Sequence, residues 1–202
     1  MSRVQRFLNH PYAFWLLLSL PAIPMVSGLA SGGAEAVEGL LHPTGEFAAR
    51  FMIIAMMITP LTMLFQGWRF PRWLMKRRRY LGVAAFGYAA LHTALYLMDI
   101  GAVAVTTAEI SKLYIWTGWL ALLIFVPLAI TSTDGWMRRL GRRWKPLQRY
   151  VYAAAVLTLL HWAALHDWGG IAPALVHFLP LALLEAYRLW AYRARRSARR
   201  VA

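Results

Sequence analysis

The chain reads as an all-α integral membrane protein, a bundle of six transmembrane helices with both termini in the cytoplasm. Three observations point there. Of the 202 residues, 60% are hydrophobic and the mean hydropathy is +0.48. The apolar residues form blocks too long for the core of a soluble domain. The Lys and Arg residues stand in short clusters between those blocks, as they do beside membrane spans.

A hydrocarbon core of about 30 Å needs about 20 mostly apolar residues per helix. Six blocks meet that, at about 12–30, 47–66, 80–98, 113–132, 150–167 and 170–192, within one membrane domain of residues 1–202. Arg3 and Arg6 precede the first. Arg69, Arg72, Lys76, Arg77, Arg78 and Arg79 lie between the second and third, and Arg138, Arg139, Arg142, Arg143, Lys145 and Arg149 between the fourth and fifth. Arg188, Arg193, Arg195, Arg196, Arg199 and Arg200 close the chain, so 20 of the 22 basic residues fall on one side, Arg50 and Lys112 being the exceptions. The opposite segments carry Glu35, Glu38, Glu46, Asp99, Glu109 and Asp167. Basic loops face the cytoplasm, so both termini do too. The first block, with its basic start and small residues (GLASGGA), also fits a signal peptide. Its removal would leave five spans with the same loop orientation.

Trp68, Trp73, Trp136, Trp144 and Trp190 fall at expected inner boundaries, and Trp116, Trp162 and Trp168 near outer ones, as interfacial anchors do. Pro60, Pro127 and Pro180 sit inside spans, where neighbouring helices satisfy the freed carbonyls. In TSTDGWMRRLGRRW, Asp134 is expected to cap a short interfacial helix with Trp136 and Met137 on one face. Glu185 and Arg188 are one turn apart and should pair near the inner surface.

Several chemistries are excluded. With no cysteine, the chain supplies no disulfide, thiolate metal site, iron–sulfur cluster or thiol nucleophile. Gly28 to Gly33 (GLASGG) lacks the strand and helix of a phosphate-binding loop and reads as a loop between apolar blocks. The net charge of +14 belongs to membrane flanks and not to a nucleic-acid surface.

Histidine is costly at membrane depth and marks a functional site by default. The third and fifth blocks both run outward; His92 follows Arg79 by 13 residues and His161 follows Arg149 by 12. At about 1.5 Å per residue the two imidazoles share a depth in the outer half of the bilayer. Two neutral imidazoles at one height can ligate one haem iron from its two faces, or each can bond a neighbouring carbonyl. Gly82 and Gly87, with Ala84, Ala85, Ala89 and Ala90, would admit a flat macrocycle close to the third helix, or serve plain packing. His177, near the same depth on the sixth block, is an alternative ligand. His42, in HPTG just before the second block, and His166, after the fifth, would pair with haem propionates or face water. His10 belongs at the cytoplasmic border.

Three runs carry a resemblance: HPTGEFAARFMIIAMMITPL, RRRYLGVAAFGYAALHTALYL and LAITSTDGWMRRLGRRWKPLQRYVYAAAVLTLLHW. In order and spacing, over about residues 38–168, they resemble the YedZ/MsrQ family. That family is the haem-binding membrane subunit of a periplasmic methionine sulfoxide reductase system, among ferric-reductase-like transmembrane domains. The resemblance implies a b-type haem held by His92 and His161 in a bacterial inner-membrane protein. It also implies electrons from the quinone pool or a cytoplasmic flavin reductase, with FMN as a further cofactor, and a periplasmic molybdopterin-containing reductase subunit as acceptor. One departure stands out. Where the family commonly has Leu-His-x-x-Val-Tyr, this chain has LQRYVY with Gln148, an amide that ligates iron poorly, so one haem is expected and a second is doubtful. The basic stretch Arg138 to Arg149 could receive an acidic donor or a flavin phosphate. Two rival functions are a ferric reductase with the same haem and a proton-coupled transporter with histidine relays; scarce mid-membrane carboxylates argue against the second.

Overall fold

The computed structural model describes residues 10–101 and 110–201; Arg3, Arg6 and Glu109, used in the charge argument, lie outside them. The described elements are helical throughout: α1 (Pro11–Ser19), α2 (Ala22–Leu64), α3 (Arg69–Met75), α4 (Arg78–Ile100), α5 (Leu113–Ile130), α6 (Asp134–Leu140), a 3-10 turn (Gly141–Arg143), α7 (Trp144–Gln148), α8 (Val151–Ala163), α9 (Leu165–Trp168) and α10 (Ile171–Val201). Among the described residues, four stretches are long and apolar enough to cross a membrane: Glu35–Leu64, Arg78–Ile100, Leu113–Ile130 and Ile171–Ser197. Tyr12–Ser19 and Ala22–Ala30, bent by 53°, make a fifth if taken as one span. The protein is therefore a multi-pass, all-helical membrane protein.

Two expected spans look different in the structure. The second was placed at 47–66, with a loop before it, yet helix α2 continues back through His42 and past Pro43. Pro43 does not stop the helix, because a proline removes a single backbone donor and the turns around it keep their bonds. The run Gly28–Gly33, expected as a loop, is helical except at its last residue, Gly33, whose φ of 60° and ψ of −146° separate two helical arms. Only glycine takes that conformation at no steric cost.

The fifth block, expected over 150–167, forms a helix of 13 residues, Val151–Ala163. That is about 20 Å long, short of the bilayer core. It ends because His166, Asp167 and Trp168 take positive φ of 52°, 52° and 71°. The chain then folds back so closely that a Cβ on Gly170 would lie 1.9 Å from the Trp162 carbonyl oxygen.

The core lies where α2, α4, α5, α8 and α10 meet, around Met52, Met56, Ala85, Phe125, Ala154, Trp162 and Phe178. Small residues at Ala49, Ala85, Ala154 and Ala174 bring the backbones together, as membrane helices without a hydrophobic drive require. A second cluster packs Phe14 and Leu18 of α1 against Ile58, Leu81 and Ala84, and the Tyr88 hydroxyl donates to the Leu18 carbonyl at 3.1 Å. The first block is thus built into the bundle.

On the basic side, α6 is capped by Thr133 and not by Asp134: the Thr133 hydroxyl oxygen accepts from the Trp136 amide at 3.3 Å. Asp134 instead accepts from Arg79 at the start of α4. Arg188 pairs with Glu185 at 2.8 Å, as their spacing foretold.

Candidate functional site

His92 projects from α4 and His161 from the last turn of α8, and their imidazoles face each other. The ring centres are 6.1 Å apart and the planes stand at 85°. Each ring is anchored through Nδ1. That of His92 lies 2.9 Å from the Leu41 carbonyl oxygen and 3.4 Å from Thr44 Oγ1. That of His161 lies 2.7 Å from the Tyr114 carbonyl oxygen. A carbonyl oxygen can only accept, so both rings carry their proton on Nδ1 and keep the Nε2 lone pair. Among the described residues no hydrogen bond engages either Nε2.

A cavity of about 610 Å³ opens between α2, α4, α5 and α8, within the usual range for ligand pockets. Its wall includes both histidines, with Gly45, Ala48 and Ala49 from α2, Ala89 from α4, Gly118 and Phe125 from α5, and Trp162 from α8. Its polar lining includes Asp99 at the end of α4, Lys112 just before α5, His166 and Asp167 after α8, Glu38 and Glu46 on α2, and Thr93, Tyr96 and Thr158 within α4 and α8. His42 also lines it, with Nε2 on Glu46 at 3.2 Å.

The remaining sequence candidates sort as follows. His177 is outside the cavity wall and packs on Trp162, ring centres 4.7 Å apart. Its Nδ1–H donates to the Pro173 carbonyl at 2.8 Å and its Nε2 accepts from Arg50 Nε at 3.2 Å, so neither nitrogen is available as a ligand. Trp162, expected at the interface, is only 5% exposed and forms cavity wall. Gly82 and Gly87 are not cavity residues; a Cβ on either would meet nothing within 4 Å. Gln148 donates from Nε2 to the Leu128 carbonyl at 3.1 Å and to Thr131 Oγ1 at 3.2 Å, tying α7 to the end of α5. His10 is exposed ahead of α1.

Sequence reasoning missed the glycines that matter. A Cβ on Gly45 would stand 3.2 Å from the His92 ring, and one on Gly118 would stand 2.8 Å from His161 Nδ1. The signal was present as two Thr-Gly pairs, Thr44–Gly45 and Thr117–Gly118, both on helices opposite the histidines.

Residues 44–159 match the family described as "Ferric reductase like transmembrane component". The chain is 41% identical to the "Protein-methionine-sulfoxide reductase heme-binding subunit MsrQ" of Rhodospirillum rubrum over 175 residues, 83% of this chain and 80% of the relative. It is 36% identical to the protein of that name in Azospira oryzae, over 88% of this chain and 77% of the relative. With that of Xanthomonas campestris pv. campestris identity is 40%, over 83% and 75%. No solved structure matches the chain. With a transmembrane match over more than half of the chain, and relatives aligned over most of its length, the chain belongs to the MsrQ family of ferric-reductase-like transmembrane proteins.

Proposed function

We propose that the chain binds one haem b between His92 and His161 and serves as a membrane electron-transfer subunit. Electrons would come from the quinone pool or a cytoplasmic flavin reductase and pass to a periplasmic molybdopterin-containing methionine sulfoxide reductase subunit. The observation that carries this reading is the facing pair, 6.1 Å between ring centres with both Nδ1 atoms tied back. Two metal–imidazole bonds of about 2 Å each, on rings whose centres lie about 1 Å behind their nitrogens, give a separation of about 6 Å. Among the described residues no group of three or more His, Asp or Glu is placed to hold a metal ion. Two imidazoles alone are a poor donor set for a bare ion and would suit an iron that arrives with a macrocycle's own four nitrogens. The names of the relatives point the same way.

Held by His92 and His161, haem would supply one-electron Fe(III)/Fe(II) chemistry, which suits electron relay and not oxygen or substrate binding. The protein's own contributions are separate. The Leu41 and Tyr114 carbonyls fix tautomer and ring rotation, which also makes each imidazole a stronger ligand. Ala48, Ala49, Ala89 and Phe125 give the cavity an apolar stretch of wall with no polar side-chain atoms. His42 and His166 line the cavity as candidates to meet propionates. The amide of Gln148 is committed to α5, so a second haem at that position has no ligand. The reading has six crossings of the bacterial inner membrane with cytoplasmic termini, α8 and α9 together making the short fifth. It puts the basic stretch Arg138 to Arg149 where a flavin phosphate, such as that of FMN, or an acidic donor would arrive.

The test is optical. The purified protein should show the spectrum of a low-spin b-type haem, extractable because no cysteine can attach it. His92→Ala or His161→Ala should lose haem or turn it high-spin, while His10→Ala should not. Full low-spin haem in both ligand variants would falsify the assignment.

A further inference from the structure

Both histidines meet the same three-part motif on the helix they face. In each case the accepting carbonyl, Leu41 or Tyr114, is followed three residues on by a buried threonine and four residues on by a glycine. Thr44 is fully buried and Thr117 is 5% exposed. Their hydroxyls turn back onto their own helices, Thr44 to the Leu40 and Leu41 carbonyls at 2.8 and 2.9 Å and Thr117 to the Leu113 and Tyr114 carbonyls at 3.0 and 3.1 Å. Every Cβ in a helix leans toward the N-terminus, so the side chain four residues on covers a carbonyl's outer side. Glycine there uncovers it.

We propose that Gly118 and Gly45 are the positioning residues of the two haem ligands: by exposing the Tyr114 and Leu41 carbonyls to the imidazoles they set how far each Nε2 reaches into the cavity. The inference rests on the haem reading above. The two positions are not equivalent. A methyl on Gly118 would stand 2.8 Å from Nδ1 and 3.1 Å from Cε1 of His161, too close without moving the ring off its 2.7 Å hydrogen bond. A methyl on Gly45 would stand 3.2 Å from the same two atoms of His92, a conflict that a shift of a few tenths of an ångström relieves. Gly87, on the same helix as His92, has open space around it and is the internal control.

The full-length protein should be purified as Gly118→Ala, Gly45→Ala and Gly87→Ala and compared with wild type for haem per chain, low-spin electron paramagnetic resonance and midpoint potential. Loss of support to a metal-ligating histidine weakens retention by about 10–100-fold, and that is the expectation for Gly118→Ala. Gly45→Ala should keep its haem with an altered low-spin signal and potential, a change that plain loss of packing would not produce. Gly87→Ala should match wild type. Should Gly118→Ala fail to fold, the Gly45→Ala signal decides. A haem-free wild type would remove the haem reading and this inference together. Haem in the wild type, with unchanged spectra and potential in both Gly118→Ala and Gly45→Ala, or an equal disturbance in Gly87→Ala, would overturn this inference alone.

Discussion

Arg50 donates from Nε to Nε2 of His177 at 3.2 Å, joining α2 to α10 within the apolar part of the bundle. The same guanidinium holds Glu46 at 2.7 Å, and Glu46 holds His42. A cation at membrane depth needs such partners. We expect Arg50→Ala to lower stability in detergent by about 1–3 kcal/mol, the usual cost of losing hydrogen bonds to a charged group. His177→Ala should lower thermal stability while retaining low-spin haem. Loss of the low-spin spectrum in His177→Ala would bring that residue into the ligand set.

Gln148→His tests the number of haems. The side chain now bonds the Leu128 carbonyl and Thr131; His92 and His161 face each other elsewhere, and His10, the histidine expected at the same border, is exposed ahead of α1. The variant should therefore keep one haem per chain and lose about 1 kcal/mol of stability with the amide's bonds. A doubled haem content by pyridine haemochrome assay would show that an inner site can be restored.

The contact between Arg79 and Asp134 gives a pH prediction. Arg79's hydrogen bond, then its charge, and to a lesser degree that of Arg138, hold the Asp134 carboxyl below the usual carboxylate range. A depressed folded pKa means that the contribution is whole above the unfolded value of about 3.9 and fades as pH falls through the lower folded value. Amide protection factors over residues 134–140 should stay level from pH 7 to about 5 and decline only in stronger acid. In Asp134→Asn they should be low throughout; protection that already falls between pH 7 and 5 would mean that another group controls this helix.

With no native cysteine, single introduced thiols report topology cleanly. Asp99→Cys should react with a charged reagent in intact cells, Arg142→Cys only after lysis, and a reporter fused at Ala202 should be cytoplasmic. A periplasmic C-terminus would rule out six crossings.

Much of this arrangement was legible in the sequence because membrane physics leaves few choices. Apolar blocks marked the helices, and equal distances from the basic markers selected His92 and His161, whose rings do meet. What failed was local. Gly28 to Gly33 reads as a loop, yet α2 runs through it with a single break at Gly33 and reaches back before the expected start of the second span. The end of α8 was not read because positive φ falls on His166, Asp167 and Trp168 with no glycine or proline among them; His and Asp tolerate that region better than most types, a weak signal inside an apolar block. Gly82 and Gly87 drew attention on the histidine's own helix, when close approach is made from the helix opposite.

The shortness of α8 has an electrical consequence. His161 lies in its last turn, so on the proposed topology an electron held between the two histidines would rest near the outer face. On the proposed topology, one delivered from the cytoplasm crosses most of the membrane voltage, and with the interior negative that passage is downhill by up to about 2.3 kcal/mol per 100 mV. One delivered by a carrier in the outer leaflet crosses almost none. Collapsing the voltage with an ionophore should therefore slow reduction of the site only if the electrons start inside, which makes the respiratory field itself a probe of the donor.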